Sequence, residues 1–252
     1  MPAAPFLLLQ ITDSHIGAQW NGQNPVAGLA GVVDAVQRLP DPPDAVLLTG
    51  DLTEHGAAGE YASVREITSA IPAPLHVLPG NHDDRAAIRA AFSLPGAGAE
   101  PIRYALDLGP LRLVAVDTTI PGHDGGSLDG ELLDWLEAEL GRASARPTVL
   151  AMHHPPLATG IAAWDAIGLP AADRAALGRV LERHPQVRRV VAGHVHQTIV
   201  ARLAGRPVLT IPSTYLQARL DFTAGLALEP GPRGYALHAL VDGEIASYVR
   251  TL

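Results

Sequence analysis

Short apolar runs alternate with longer amphipathic stretches through most of the chain. The runs have the length of buried strands and lie at residues 6–11, 45–49, 75–78, 102–108, 111–117, 148–152 and 187–193. Between them, apolar residues recur every three or four positions, which is the spacing of one helix face. These stretches predict helices at residues 25–39, 57–70, 84–92, 129–141 and 170–183. Strands that alternate with helices predict an α/β fold.

The C-terminal part of the chain has a different pattern, in which apolar runs come in pairs around short turns. These runs predict two hairpins, 198–203 with 207–211 and 235–241 with 244–250. Residues 218–234 are rich in Gly and Pro, and their pattern predicts neither a helix nor a strand. No linker-like stretch divides the chain, so we expect one domain over residues 1–252, with stacked β-sheets and helices outside them.

Composition narrows the class of protein. Hydrophobic residues make up 47% of the 252 residues, which is typical of a globular chain. The 18 basic residues, all of them arginine, are outnumbered by 26 acidic residues, and the net charge is −8. We therefore do not expect a long nucleic acid as a partner, because its phosphates require basic surfaces.

The sequence contains no cysteine and no segment that predicts a membrane span. Without cysteine there is no disulfide framework and no thiolate metal ligand. No apolar segment has the length of a transmembrane helix, and the N-terminal apolar run lacks the length and basic flank of a signal peptide. We therefore expect a cytoplasmic protein with no membrane partner, and the sequence leaves open whether it forms a homo-oligomer such as a dimer.

Polar side chains with metal-binding chemistry directly follow five of the predicted strands. They are Asp13 and His15, Asp51, Asn81 and His82, His153 and His154, and His194 and His196. The carboxyl ends of strands are where ligands bind in α/β sheets. Residues i and i+2 of an extended segment point the same way, so Asp13 with His15, and His194 with His196, are each placed to hold one ion.

Each group alone is weak evidence. The patterns D-x-H and H-x-H arise often by chance, and Asn81 has an ordinary alternative role as a turn residue. Five such groups at successive strand ends are stronger evidence, because unpaired polar groups buried there would cost on the order of several kcal/mol in total. A bound cation removes that cost. Glycines 50, 80 and 193 precede three of the groups and leave room for tight turns.

The ordered motifs resemble those of the calcineurin-like metallophosphoesterases. The matching segments are Asp13-Ser14-His15, GDLTEHG (50–56), GNHD (80–83), HHPP (153–156) and GHVH (193–196). Within that family, segments such as GNHDDR, VDTTIPGHDGG and LDWLEAEL are most similar to bacterial class III cyclic-nucleotide phosphodiesterases and the related glycerophosphodiesterases. The resemblance implies a four-layer α/β/β/α sandwich of two mixed β-sheets flanked by helices, which agrees with the alternating pattern.

The resemblance also implies a binuclear metal centre. One ion would bind Asp13, His15 and His196, the other would bind Asn81, His153 and His194, and Asp51 would bridge both. Nitrogen and oxygen ligands without thiolates suit divalent or mixed-valence Mn, Fe or Zn, with Co as a further option. Two such ions, two carboxylates and a bridging hydroxide would leave about one net positive charge, which suits a monoanionic phosphodiester.

The implied activity is phosphodiester hydrolysis, in which a hydroxide held between the two ions attacks the phosphorus. The expected substrates are small cyclic nucleotides of the 3′,5′-cyclic AMP type. His82 is predicted to protonate or stabilise the leaving oxygen, an assistance worth about 10²–10⁴ in rate, and both Asn81 and His82 are expected to contact the substrate. For Asp83 and Asp84 we favour a structural role at the N-terminus of the next helix.

For several residues near these motifs the sequence allows two roles. The family pattern favours His153 over His154 as the ligand, but adjacent strand residues face opposite ways, and the sequence does not orient them. His154 would then support the ligands or contact the substrate. His123 is either a substrate contact or a solvated loop residue. Trp20 and Tyr215 either line the pocket or lie in exposed loops.

Other functions share these motifs. The main alternative is a glycerophosphodiesterase, or a phosphodiesterase and phosphomonoesterase of broad specificity. Protein phosphatases, purple acid phosphatases and DNA-break nucleases of this family carry extra segments or domains that the chain does not resemble. A catalytically silent metal-binding scaffold is the alternative that is not an enzyme. It predicts missing ligands or a missing His82, whereas the sequence contains all of them.

Overall fold

Strands and helices alternate through the first three quarters of the chain, and strands dominate the rest. The computed structural model describes residues 4–223 and 225–252. The strands are β1 (Phe6–Ile11), β2 (Ala45–Thr49), β3 (Leu75–Leu78), β4 (Arg103–Leu108), β5 (Leu111–Val116), β6 (Thr119–Ile120), β7 (His123–Gly126), β8 (Thr148–Ala151), β9 (Val187–Ala192), β10 (Val200–Leu203), β11 (Arg206–Thr210), β12 (Gln217–Ala218), β13 (Leu228–Glu229), β14 (Gly234–Val241) and β15 (Glu244–Thr251).

Five helices of the described residues begin and end close to the predicted boundaries, and one short helix was not predicted. They are α1 (Pro25–Gln37), α2 (Ala58–Thr68), α3 (Arg85–Phe92), α4 (Gly130–Gly141), α5 (Ala162–Ala166) and α6 (Ala171–Arg183), with a 3₁₀ turn at Trp20–Gly22. Side-chain caps define three of the starts: Asn24, Asp84 and Asp129 each accept a hydrogen bond from the first turn of α1, α3 and α4. None of the helices in the described part of the chain is both long and apolar enough to cross a bilayer.

Two mixed sheets contain most of the strands. One has the order β15-β14-β1-β2-β3, and the other has the order β10-β11-β9-β8-β5-β4. Strands β1, β2 and β3 are parallel in the first sheet, and β5, β8, β9 and β11 are parallel in the second. The polar motifs follow β1, β2, β3, β8 and β9, so they gather where the carboxyl ends of parallel strands meet.

Helices cover the outer faces of both sheets. Leu29 of α1, Tyr61 of α2 and Ile88 of α3 belong to the same buried cluster as the first sheet. Leu136 of α4 and Leu177 of α6 pack with the outward-facing residues of the second sheet. The predicted four-layer α/β/β/α sandwich is therefore confirmed.

The sequence pattern missed the shortest elements. Strands β6 and β7 form a two-stranded hairpin, as do β12 and β13, and α5 has only five residues. None of these has enough apolar residues to show a period. Strand β12 lies at the start of the unassigned stretch 218–234, and β13 lies within it. Residue 224 of this stretch is outside the described residues.

Candidate metal centre

The seven predicted ligands converge at one end of the two sheets. They are Asp13, His15, Asp51, Asn81, His153, His194 and His196. The two carboxylates and four imidazoles among them are each at most 4% exposed. Loops after strands of both sheets supply them, so the cluster forms only when the sandwich is assembled.

Asp13, His15 and His196 lie together on one side of the cluster. Each offers one ligand atom, and these atoms lie within 4.8 Å of one another. His15 Nε2 is 3.2 Å from His196 Nε2, and His196 Nε2 is 3.5 Å from Asp13 Oδ1. The first predicted trio is therefore close enough to share one ion.

Asn81, His153 and His194 lie on the other side. Asn81 Oδ1 is 3.1 Å from His153 Nε2, and the rings of His153 and His194 are 5.1 Å apart. Asp51 lies between the two sides, because its Oδ2 is 3.6 Å from His15 Nε2 and 3.4 Å from His153 Nε2. This is the position that a bridging carboxylate requires.

Hydrogen bonds to the outer ring nitrogens orient three of the histidines. His153 Nδ1 donates to the carbonyl of Thr49 at 2.9 Å, and His196 Nδ1 donates to the carbonyl of Leu216 at 2.7 Å. His15 Nδ1 is 3.0 Å from the Glu54 carboxylate. In the neutral imidazole, each bond leaves the inner Nε2 as a lone pair that faces the cluster, as a metal-binding histidine needs.

The residues present fit divalent cations. The inner lone pairs of His15 and His196 point toward each other across 3.2 Å, an arrangement that is repulsive unless a cation or proton lies between them. His194 Nε2 is buried and has no hydrogen-bond partner among the described residues. An orphaned buried nitrogen is costly, and a metal ion is one way to satisfy it.

Buried carboxylates favour positive charge at His153 and His196, whereas burial lowers the pKa of His15 and of His194. Burial alone would raise the pKa of Asp51, but the facing His153 keeps it well below its usual range. Burial by itself lowers the pKa of His153, yet Asp51 outweighs it and raises that pKa to about 9. Burial and carboxylate–imidazole attraction oppose each other in the same way at Asp13, whose pKa is lowered, and at His196, whose pKa is raised.

The backbone at the ligands is left-handed, and the expectation of extended segments is wrong. Asp13, His15, Asp51, His194 and His196 have φ between 44° and 71°. In this conformation the chain turns sharply at each ligand. Asp13 and His15 share one candidate group with His196, whereas His194 lies in a group with His153 and His154. Residues that are not glycine adopt such φ values rarely, and they cluster at functional sites.

Two of the predicted glycines are needed because other groups approach their backbone. A Cβ on Gly50, which has φ +89°, would lie 2.4 Å from His153 Nδ1. A Cβ on Gly80 would lie 2.2 Å from Asp51 Oδ1. Any side chain at either position would displace a predicted ligand.

His153 and His154 have different surroundings, which supports the family-based choice between them. Both nitrogens of the His154 ring are engaged: Thr118 Oγ1 donates to Nδ1 at 2.8 Å, and Nε2 donates to the carbonyl of Asp124 at 3.0 Å. His154 lies close enough to His153 and His194 to form a candidate group with them, but its ring has no lone pair left for an ion. Nε2 of His153 instead faces two other predicted ligands, Asn81 at 3.1 Å and Asp51 at 3.4 Å.

We predict that His153→Gln removes about one equivalent of bound metal and that His154→Gln retains both. The matched substitutions replace each imidazole with an amide of similar reach. Metal content measured after dialysis, alongside the melting temperature, separates loss of a ligand from loss of folding. Loss of metal from the His154 variant alone would reverse the assignment.

His82 differs from the predicted ligands in its exposure. Its side chain is 27% exposed, and its Nδ1 donates to the carbonyl of Glu54 at 3.3 Å. The ring lies 4.9 Å from that of His15 and 6.0 Å from that of Trp20. His82 therefore lies at the mouth of the cluster, where it is open to a bound molecule.

His123, Asp83 and Asp84 were also singled out from the sequence. His123 is exposed on β7, in register with Ile120 of β6, and its role remains a prediction. Asp84 caps α3, as expected. Asp83 instead accepts hydrogen bonds from the backbone of Leu52 and Gly80, among others. Its structural role is therefore to join two ligand loops, whereas the cap of α3 is Asp84.

Three side chains that the sequence analysis did not place contribute to the surroundings of the cluster. Glu54 contacts His15, and Thr118 contacts His154. Trp164 of α5 is buried, with its ring 5.7 Å from His194. Glu54 lies inside the GDLTEHG motif, so the sequence could have identified it. Helix α5 has no apolar periodicity, so nothing in the sequence indicated Trp164.

Comparisons with known proteins agree with this geometry. Residues 6–198 match the family described as calcineurin-like phosphoesterase. The glycerophosphodiester phosphodiesterase GpdQ of Enterobacter lignolyticus is 35% identical over 84% of this chain and 78% of its own. The 3′,5′-cyclic adenosine monophosphate phosphodiesterase CpdA of Pseudomonas aeruginosa is 33% identical over 93% of this chain and 86% of its own.

A solved structure shows the same fold at low sequence identity. A dimetal phosphatase from Danio rerio superposes with a TM-score of 0.72 and 17% identity, and the match covers 99% of both chains. This likeness concerns the fold alone. The family match over residues 6–198 and the two phosphodiesterase relatives carry the assignment. The chain belongs to the calcineurin-like phosphoesterases and is a metal-dependent phosphodiester hydrolase.

Proposed function

We propose that the chain is a binuclear-metal phosphodiesterase that hydrolyses 3′,5′-cyclic nucleotides. The observation that carries the proposal is the position of Asp51, whose Oδ2 lies 3.6 Å from His15 Nε2 and 3.4 Å from His153 Nε2. A carboxylate between two sets of nitrogen and oxygen donors is the arrangement that holds two ions side by side.

The proposed ligand sets are those implied by the sequence motifs. Asp13, His15 and His196 would hold one ion, and Asn81, His153 and His194 the other, with Asp51 shared. When bound, such ions supply an activated water and neutralise charge on the phosphoryl oxygens. The protein orients the donors through fixed tautomers, because the outer nitrogens of His15, His153 and His196 are all hydrogen-bonded.

His82 is the proposed proton donor to the leaving oxygen. Its Nδ1 is held by the Glu54 carbonyl, which leaves Nε2 to face a substrate. A cleft of about 190 Å³ adjoins this ring, lined also by His55, Asn81 and Arg85. A leaving group in this cleft would lie within reach of the imidazole.

The charge near the centre supports a diester over a monoester substrate. Glu54 lies 3.0 Å from His15, and it adds a negative charge that the sequence-based tally of ligands left out. The centre is therefore less positive than that tally predicts. A less positive centre attracts a dianionic monoester less strongly. The electrostatic advantage of the monoester over a monoanionic diester is therefore smaller than the ligands alone would give.

Aromatic side chains beside the cluster support a nucleotide substrate. The ring of Trp20, which is partly exposed, is 5.3 Å from that of His15. Stacking of a base on an aromatic ring is worth about 1–3 kcal/mol, whereas glycerol offers no ring to stack. A glycerophosphodiesterase remains the second candidate, because the relative named GpdQ is 35% identical over 84% of this chain.

A turnover panel on metal-reconstituted protein tests the proposal. We expect a higher kcat/KM for bis(p-nitrophenyl) phosphate than for p-nitrophenyl phosphate across pH 6–9, because the centre disfavours a second negative charge. Among natural substrates we expect cyclic AMP to be hydrolysed faster than glycerophosphocholine. The reverse order for the natural pair would support the second candidate, and a preference for the monoester would contradict both.

A further inference from the structure

Gln10 is a buried polar residue of β1 that lies beneath the metal-binding loops. Its side chain is fully buried. Its amide nitrogen donates to Thr49 Oγ1 at 3.0 Å and to the carbonyl of Ala192 at 3.1 Å. Its amide oxygen lies 3.0 Å from Nε2 of His238. One amide therefore joins β1 to strands β2, β14 and β9.

The direction of these hydrogen bonds is fixed by the chemistry of the partners. The carbonyl of Ala192 can only accept, so the nitrogen of the Gln10 amide must face it, and the oxygen must face His238. His238 Nε2 then carries the proton, and Nδ1 accepts from Ser247 Oγ at 2.8 Å. Burial lowers the pKa of His238 to about 3, so the ring is neutral, as this arrangement requires.

Of the strands that the Gln10 amide joins, β1, β2 and β9 lead directly into ligand loops. Asp13 follows three residues after Gln10 on β1, Asp51 follows two residues after Thr49, and His194 follows two residues after Ala192. Ala192 belongs to the second sheet, whereas Gln10 and Thr49 belong to the first. The amide therefore fixes the separation of the two sheets at the point where their ligands meet.

Thr49 connects Gln10 to a fourth ligand. Its hydroxyl accepts from Gln10, and its carbonyl accepts from His153 Nδ1 at 2.9 Å. The same carbonyl accepts from Thr12 Oγ1 at 3.3 Å, in the residue before Asp13. A shift of Thr49 would therefore move His153 and the Asp13 loop together.

We infer that Gln10 is a positioning residue, which sets the spacing between the two ligand sets through Thr49 and Ala192. This inference rests on the proposed binuclear centre. A positioning role differs from simple core stability, because it predicts that loss of the amide changes how a second ion binds more than it changes folding. Groups that orient metal ligands typically alter metal affinity by about 10- to 100-fold when they are removed.

The test compares Gln10→Leu with Tyr104→Phe. Leucine keeps most of the volume of Gln10 but has no hydrogen-bonding atoms. Tyr104 is the matched control, because its hydroxyl makes another buried hydrogen bond between the sheets, to the carbonyl of Val77 at 2.7 Å, and it touches no predicted ligand. Thr49→Val is a milder variant of the same connection, since it removes only the hydroxyl.

The probe is Mn²⁺, followed by calorimetric titration and by electron paramagnetic resonance of the loaded protein. We expect wild type and Tyr104→Phe to bind two ions and to give the spectrum of a coupled pair. Gln10→Leu should bind the second ion about 10- to 100-fold more weakly and give the spectrum of isolated ions. Thr49→Val should shift both readouts in the same direction by a smaller factor, and it carries the test if Gln10→Leu does not fold.

Two results would overturn the inference, and they are distinguishable. Equal second-ion affinity and the same coupled spectrum in wild type, Gln10→Leu and Thr49→Val would remove the role of Gln10 and leave the proposed function intact. Failure of the wild type itself to bind a second Mn²⁺ would overturn the binuclear centre, and the inference with it.

Discussion

Asp51→Ala is expected to lose binuclear loading and nearly all diesterase activity. Asp51 Oδ2 lies between His15 and His153, so its removal takes one ligand from each proposed set. Loss of a single electrostatic group at a transition state costs about 10²–10³ in rate, and here at least one ion would be lost as well. We therefore expect a decrease of about 10³ or more in kcat/KM on bis(p-nitrophenyl) phosphate.

Metal analysis and a matched variant test this expectation. Asp117→Ala removes another buried carboxylate, 3% exposed, whose partners are Arg85, the Thr119 hydroxyl and backbone groups, and not the predicted ligands. It should retain both metal equivalents even if its melting temperature falls. An Asp51→Ala protein with two bound ions and normal turnover would show that Asp51 does not bridge.

His82→Ala is expected to retain both ions and to lose about 10²–10⁴ in kcat on substrates with poor leaving groups. The reason is the position of the ring at the mouth of the cluster, with Nδ1 held by Glu54 and the side chain 27% exposed. Cyclic AMP, which releases an alkoxide, needs a proton on its leaving oxygen. Departure of p-nitrophenolate needs little proton assistance, so the loss on bis(p-nitrophenyl) phosphate should be much smaller.

The comparison requires one preparation of known metal content and a neighbouring control. His55→Ala is suited to this, because His55 lines the same cleft but its side chain is 64% exposed and pairs with Glu60. An equal loss on both substrates would indicate charge stabilisation or positioning in place of proton donation. Because ligand atoms of His82, His15 and Asp51 lie within 4.8 Å of one another, loss of an ion would instead identify His82 as a ligand.

The longer elements could be predicted because their patterns are strong and local. The apolar residues of α4 recur on one face, and Asp129 supplies its cap, so its start and end were both evident. The hairpin β6–β7 was missed because HDGG has no strand-like alternation, and it is held by the elements around it. Short elements of this kind depend on tertiary contacts, which a local pattern does not contain.

The candidate site was predictable in composition but not in conformation. Motif order identified the side chains that the structure brings together, yet the pairs were expected on extended segments, whereas Asp13 and His15 have φ of 51° and 44°. The supporting residues were harder to predict. In the sequence, Gln10 is one polar residue in an apolar strand. Its partners Ala192 and His238 are distant in sequence, so no local pattern indicates them.

If the predicted ligands bind metal, we expect their left-handed backbone to make the lifetime of the protein depend on the metal supply of the cell. Such conformations cost about 1–3 kcal/mol each, which together is comparable with the net stability of a whole domain, about 5–15 kcal/mol. Ions that bind only the folded chain add about 2.7 kcal/mol at a concentration 100 times their dissociation constant. Under metal starvation the strain would be uncompensated, and proteases would encounter the unfolded chain more often. The amount of enzyme would then fall together with the fraction of sites that hold metal. Total hydrolytic activity would therefore depend more steeply on metal concentration than metal binding alone predicts.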